Sequence, residues 1–162
     1  DRHSLPLDVH LMVVEPADFL VDLVGTNGIR TVIAQVERLS NQQEYTQLAL
    51  ESGWQVGFSL NLYTPLEAVE NDVWKTVSVL QVMDGEAGSQ GQSFHPSALA
   101  VIRQAKTFRE ERGLHFRIAA DIAMNPETIR YAREAGADDF VVGSYLNTDT
   151  TKRWKELMEE NV

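Results

Sequence analysis

Residues 116–144 read FRIAADIAMNPETIRYAREAGADDFVVGS, and their pattern indicates the fold class most clearly. An apolar run, Phe116–Ala120, comes first. It is followed by a helix with recognisable ends: Asn125 is a suitable N-cap, Pro126 takes the first helical position, and Gly136 ends the helix. A second apolar run starts a few residues later. A strand, a helix and a strand in this order predict one unit of a parallel sheet with right-handed crossovers.

The same alternation extends through the rest of the chain. Short apolar runs rich in Val, Ile, Leu and Phe predict six strands, and their lack of strict polar alternation indicates a parallel sheet covered on both faces. The runs are Leu5–Val13, Thr31–Val36, Gln55–Leu60, Val77–Met83, Phe116–Ala120 and Phe140–Val142. Predicted helices follow them, beginning near Pro16, Asn41, Thr64, Pro96, Asn125 and Asp149. At the third helix, Thr64, Pro65 and Glu67 have the spacing of a capping box.

Two architectures contain regular β/α alternation: a doubly wound open sheet and a (β/α)₈ barrel. In both, ligands bind at the carboxyl ends of the strands. Six units are two short of a closed barrel. We therefore expect one domain over residues 1–162, and an open sheet with a gap beside Leu5–Val13.

Composition excludes several classes of function. The 162 residues carry a net charge of −10 and no cysteine. Nucleic-acid grooves need clustered cations, so we expect no nucleic-acid partner, whereas a small phosphorylated ligand can bind to backbone N–H groups. Disulfides and cysteine-ligated metals are ruled out. The apolar runs are too short to span a bilayer, so we predict a cytoplasmic protein without a membrane partner. An incomplete barrel would expose strand edges, which favours a homo-oligomer.

His10 lies in the apolar strand Leu7-Asp8-Val9-His10-Leu11-Met12-Val13. Period-two alternation places Asp8, His10 and Met12 on one face. A histidine in such a strand is costly to bury without a partner. Metal ligation by the neutral imidazole would satisfy it, and so would a hydrogen bond to a neighbouring carboxylate.

Asp121 ends another apolar strand, and a buried carboxylate there needs a cation, hydrogen-bond donors or a metal. The pattern is typical of a catalytic base or a metal ligand, but it also fits a residue that orients the following loop. Two glycine-containing turns also allow more than one interpretation. The loop from Met83 to Pro96 could cradle a phosphate or act as a lid, and Gly143-Ser144 could bind phosphate or form a tight turn.

Taken together, these segments resemble the ribulose-phosphate 3-epimerases, a TIM-barrel family that binds ribulose phosphate. The most specific element is residues 8–13, Asp-Val-His-Leu-Met-Val, followed by Pro16. The loop M-x-V-x-P-G-F-x-G-Q-x-F of the family is matched at Met83, Gly88, Gly91, Gln92 and Phe94. Residues 56–61 with 64–67, and residues 135–138 with 141–144, add two further matches. The resemblance runs from the family's third strand to its last helix.

This resemblance implies a (β/α)₈ barrel of which about six units are present, and an isomerase that converts D-ribulose 5-phosphate to D-xylulose 5-phosphate. It implies a divalent cation, zinc, iron or manganese, bound by two His and two Asp, with two Asp acting as acid and base at C3. His10 would be a metal ligand that also contacts substrate, and Asp121 a metal ligand and one acid/base group. The remaining expected substrate contacts are Met12, Met83, Gly88, Gly91, Gln92, Gly143 and Ser144.

Several residues depart from the family pattern, all of them facing the ligand. The first two strands, with one His and one Asp ligand, are not in this sequence. Ile122 and Ala123 replace two glycines, Gln35 replaces a histidine, and Tyr145 replaces a small residue. These changes keep two alternatives open: a catalytically impaired barrel with a binding or interaction role, and an isomerase that acts on a different sugar phosphate.

Overall fold

A computed structural model describes residues 5–83, 94–121 and 123–159, and its centre is a six-stranded parallel sheet. The strands are β1 (Leu7–Leu11), β2 (Ile29–Gln35), β3 (Gln55–Leu60), β4 (Val77–Met83), β5 (Arg117–Asp121) and β6 (Asp139–Phe140). Each strand pairs with the next one along the chain, in the order 1-2-3-4-5-6. A doubly wound sheet reverses its order at a switch point. The observed order therefore selects the partial barrel.

The sheet is strongly curved. Strands three places apart in a flat sheet lie roughly 14 Å from each other. Here the His10 ring on β1 nevertheless lies 2.9 Å from the Gln81 side-chain nitrogen on β4. Within the described residues, β1 pairs only with β2 and β6 only with β5. The prediction of an open barrel with a gap beside its first strand is confirmed.

Five α-helices accompany the strands. They are α1 (Leu20–Leu23), α2 (Gln42–Glu51), α3 (Ser97–Glu111), α4 (Pro126–Ala135) and α5 (Thr150–Glu159). The helices predicted to begin near Asn41, Pro96, Asn125 and Asp149 are confirmed. The helix predicted at Pro16 is a 3₁₀ turn, Pro16–Phe19, that leads into the single turn of α1.

The helix predicted after β3 is wrong. Two short 3₁₀ turns, Leu66–Ala68 and Asn71–Val73, stand in its place, and the predicted capping box does not form. The reason is a contact made by α2. The Gln42 side chain donates a hydrogen bond to the Ala68 carbonyl and accepts one from the backbone N–H of Glu70. In an α-helix both of these backbone groups would bond within the helix, so the Gln42 side chain takes the place of helical hydrogen bonds.

The two faces of the sheet differ in character. On β2, for example, Val32 and Ala34 belong to the main hydrophobic core shared with the helices. The alternate residue Ile33 forms a small separate cluster with Val79 and Ala119. Besides Met83, this second face also buries four polar side chains: Thr31, Gln35, Ser59 and Gln81. The concave face thus carries a polar floor rather than a dry core.

Among the described residues, no helix combines the length and the apolar character that crossing a lipid bilayer requires.

Candidate active site

The site is built around His10, which lies on the concave face of β1 and is half-buried. Both nitrogens of its ring contact side-chain amides. Nε2 lies 2.9 Å from Oε1 of Gln35 on β2, and Nδ1 lies 2.9 Å from Nε2 of Gln81 on β4. The curvature of the sheet makes this arrangement possible, because β4 is separated from β1 by β2 and β3 and would be out of reach in a flat sheet.

Gln81 connects the histidine to Asp121. Its amide nitrogen donates a second hydrogen bond, also 2.9 Å long, to Oδ2 of Asp121. Asp121 is the last residue of β5, and Met83 is its register partner on β4. The two ionisable residues predicted from sequence therefore lie within two hydrogen-bond lengths of each other, and one side chain joins them.

Gln35 connects the other side of the histidine to Glu37. The Gln35 amide nitrogen donates to Oε2 of Glu37 at 2.7 Å and to Oδ1 of Asn61 at 3.0 Å. The backbone N–H of Asn61 donates to Oε1 of Glu37 at 2.8 Å. A continuous network from Glu37 to Asp121 thus crosses the floor of the barrel.

Burial lowers the pKa of His10 below its usual value, although the hydrogen bond with Gln35 and the charge of Glu37 act in the opposite direction. The imidazole is therefore neutral at pH 7, with one N–H and one lone pair. A neutral ring matches the amide contacts, because it can donate to the Gln35 oxygen and accept from the Gln81 nitrogen at the same time.

The remaining predicted site residues lie at the same end of the sheet or outside the described residues. Met83 is buried beside Asp121, whereas Met12 follows β1 and is exposed. Gly143 and Ser144 follow β6 and are exposed. A side chain added at Gly143 would meet no atom within 4 Å, so a ligand has room to approach its backbone. Gly88, Gly91, Gln92 and Ile122 lie outside the described residues.

The described residues offer part of a metal site. A neutral imidazole and a carboxylate are suitable donors for zinc, iron or manganese. No group of three His, Cys, Asp or Glu side chains that could hold a metal ion occurs in residues 5–83, 94–121 and 123–159. Zinc usually takes three or four protein donors. This part of the chain therefore does not make up a complete site.

Sequence reasoning missed the role of Gln81 and treated Gln35 only as a departure from a family pattern. A signal was present in both cases. Each glutamine follows a run of apolar residues within a largely buried strand, where an unpartnered amide is costly. Two such amides on the strands near His10 indicate a buried polar network, but the sequence does not specify which groups they contact.

Comparisons with known proteins give consistent results. The model of the ribulose-phosphate 3 epimerase family matches residues 1–147. Ribulose-phosphate 3-epimerase of Bacillus subtilis (strain 168) is 33% identical over 157 residues, which are 95% of this chain and 71% of that protein. The Escherichia coli (strain K12) enzyme of the same name is 32% identical over 143 residues, 88% of this chain and 63% of that protein.

The chain thus spans about two thirds of the length of these relatives. A solved structure of a mutant tryptophan synthase α-subunit from Pyrococcus furiosus superposes with a TM-score of 0.70 at 19% identity. That match covers 98% of this chain and 68% of the other. At such low identity the likeness supports the barrel fold alone.

Proposed function

The chain belongs to the ribulose-phosphate 3-epimerase family, and from this premise we propose that the protein interconverts D-ribulose 5-phosphate and D-xylulose 5-phosphate. The reaction requires removal of the proton at C3 of the sugar and its return on the opposite face. The observation that supports this function most directly is that His10 and Asp121 lie close together at the carboxyl end of the sheet, where both contact the Gln81 amide. Barrel enzymes position their reacting groups at that end.

Asp121 is the acid/base residue of the proposal. Its carboxylate is half-exposed at the end of β5, so a substrate can reach it. One of its oxygens accepts a hydrogen bond from Gln81, which limits its rotation. A carboxylate held in one orientation can take a proton from carbon and return it. A second acid/base group would have to act on the opposite face of C3.

A small phosphorylated sugar is the proposed ligand. Exposed Gly143 and Ser144 follow β6, which neighbours the strand of Asp121. Backbone N–H groups and a hydroxyl at this place are suitable donors for a phosphate, and the last strands of barrels often provide such a site. We propose that Gly88, Gly91 and Gln92 also contact substrate, together with Met12 and Met83.

We further propose that His10 and Asp121 are two of the donors for a divalent cation, zinc, iron or manganese. When bound, such a cation would act as a Lewis acid on the negative charge that develops at the substrate oxygens. The other donors would have to come from residues outside the described part of the chain.

The test is the conversion of D-ribulose 5-phosphate by the protein in its naturally encoded form, with zinc, manganese or iron(II) supplied in turn. Asp121→Asn should reduce kcat by about 10²–10⁴-fold, the range for loss of a general acid or base. Asp139→Asn is the matched control, because Asp139 lies at the start of β6 and pairs with Arg117 there. The control should keep its activity. An Asp121→Asn variant as active as the parent would contradict the proposal, and an inactive parent would favour a sugar-phosphate-binding barrel.

A further inference from the structure

We propose that Gln81 is a positioning residue of this site, whose amide nitrogen holds His10 and Asp121 together and competes with a divalent cation for the Nδ1 lone pair of His10. This inference rests on the pairing of His10 and Asp121 in the proposed function, but not on the identity of the substrate. It starts from one observation. A single nitrogen, Nε2 of Gln81, lies 2.9 Å from Nδ1 of His10 and 2.9 Å from Oδ2 of Asp121.

The carboxylate of Asp121 determines the orientation of the Gln81 amide. If the amide were turned over, its oxygen would face the carboxylate oxygen, and two acceptors would be opposed. The NH₂ group must therefore point at both partners. One of its hydrogens bonds to Asp121 and the other to His10, so Nδ1 of His10 must present its lone pair.

The same reasoning from Glu37 leads to the same tautomer. The NH₂ group of Gln35 donates to Glu37 and Asn61, which leaves Oε1 of Gln35 as an acceptor for His10. Nε2 of His10 must then carry the ring proton. Two amides oriented independently by two carboxylates thus assign one proton position, and the hydrogen-bond directions agree along the whole network.

Gln81 is fixed more firmly than the groups it orients. It is 3% exposed, and it lies within β4 with paired strands on both sides. His10 and Asp121 are half-buried and lie on β1 and β5. A buried amide beneath two reachable ionisable groups is the arrangement by which supporting residues orient metal-binding or catalytic side chains.

In this tautomer of His10 a cation can bind only at Nδ1, the ring lone pair that now faces the Gln81 nitrogen. A divalent cation and an N–H donor cannot share that one lone pair, whereas the carboxylate of Asp121 has a second oxygen to offer. The Gln81 amide must therefore turn away from His10 before a cation can bind both residues. Gln81 should thus weaken cation binding and preserve the geometry of the pair when no cation is present.

The test compares Gln81→Leu with Gln42→Leu in the protein in its naturally encoded form, after metal has been stripped. Gln42 is a suitable control because it is also buried, 6% exposed, and its amide also makes two hydrogen bonds, both away from the site. Binding of Zn²⁺ and of Mn²⁺ is measured by calorimetry. The protonation of the His10 ring nitrogens is measured by ¹H–¹⁵N NMR.

We expect the parent to carry its His10 proton on Nε2. Gln81→Leu should lose this preference and bind both cations about tenfold more tightly, because the cation no longer displaces a hydrogen bond from His10, and the loss of one hydrogen bond corresponds to roughly this factor. Gln42→Leu should change neither property. Gln81→Met, which keeps the length of the side chain and has no N–H donor, should also bind more tightly and covers the case in which Gln81→Leu does not fold.

The proposal is overturned if the parent carries the proton on Nδ1, or if the Gln81 variants bind cations no more tightly than the parent. Neither readout depends on turnover. An inactive parent with the Nε2–H tautomer and tighter binding in Gln81→Leu would therefore reject the epimerase function and retain the role of Gln81.

Discussion

Gly57 determines how closely β2 and β3 approach each other under the site. It is the register partner of Ile33, and a Cβ atom added at Gly57 would lie 2.7 Å from Cγ1 of that side chain. Ile33 is itself buried and forms a small inner cluster with Val79 and Ala119, so its side chain would have to shift against these neighbours. We expect Gly57→Ala to lower the free energy of unfolding by about 1–3 kcal/mol, the usual cost of overpacking.

Urea denaturation followed by circular dichroism measures this effect, with Gly143→Ala as the control. A Cβ at Gly143 meets nothing within 4 Å, so the control should change stability by less than about 0.5 kcal/mol. Equal stability of the two variants would show that the inner cluster is looser than the structure indicates.

At the level of single residues, the sequence singled out the two ionisable ends of the network, His10 and Asp121, as candidates, but not the amide that joins them. His10 stood out because it lies within an apolar strand, and Asp121 because it lies at the end of one. Their closeness follows from barrel topology, which the strand pattern predicts. The bridging by Gln81 could not be predicted, because it depends on the curvature that brings β4 opposite β1.

Helix α4 shows local sequence determining an element. The Asn125 side chain accepts hydrogen bonds from the backbone N–H groups of Glu127 and Thr128, and the Thr128 hydroxyl accepts one from the Asn125 backbone. Asn125→Ala should therefore cost about 1 kcal/mol of stability. Asn125→Asp keeps the acceptor and adds a negative charge near the helix N-terminus, so it should restore stability.

Chemical denaturation of both variants is the measurement. If Asn125→Ala were as stable as the parent, the cap would contribute nothing and α4 would be held by packing alone. If Asn125→Asp were as unstable as Asn125→Ala, the loss would not come from the missing side-chain acceptor.

The segment after β3 shows the opposite case. Its Thr64-Pro65 start has the local features of a helix N-terminus, yet it forms only two 3₁₀ turns. The side chains of Leu66, Val69 and Val73 are buried in the core, and Gln42 bonds to the backbone between the two turns. Tertiary contacts outweigh local propensity here, and single-sequence patterns do not contain them.

At the scale of the whole molecule, the sequence pattern predicts the order of the strands. The structure adds which apolar side chains are exposed near the open edge of the sheet at β1. Apolar side chains remain exposed in and beyond β1, including Leu7, Val14 and Val21. Trp154 and Met158 are exposed on α5, after the last strand. Exposed apolar groups close to the unpaired edge of a sheet favour association.

We therefore predict that the 162-residue chain associates with itself in a concentration-dependent manner, measured by sedimentation velocity. Val21→Lys should weaken the association, because it places a charge between Phe19 and Val24, the exposed apolar residues that flank α1. Tyr63→Lys is the control, since Tyr63 is an exposed aromatic residue in the loop after β3. A chain that sediments as a monomer at every concentration would contradict the prediction.

Proton exchange by Asp121 at C3 of a pentulose phosphate can be followed by ¹H NMR of D-ribulose 5-phosphate in deuterated water. The sugar is incubated with the protein in its naturally encoded form and zinc, manganese or iron(II). We expect solvent deuterium to enter at C3 and Asp121→Asn to abolish its entry. A folded protein that leaves C3 fully protonated with every cation, or an Asp121→Asn variant that exchanges as fast as the parent, would contradict the proposal.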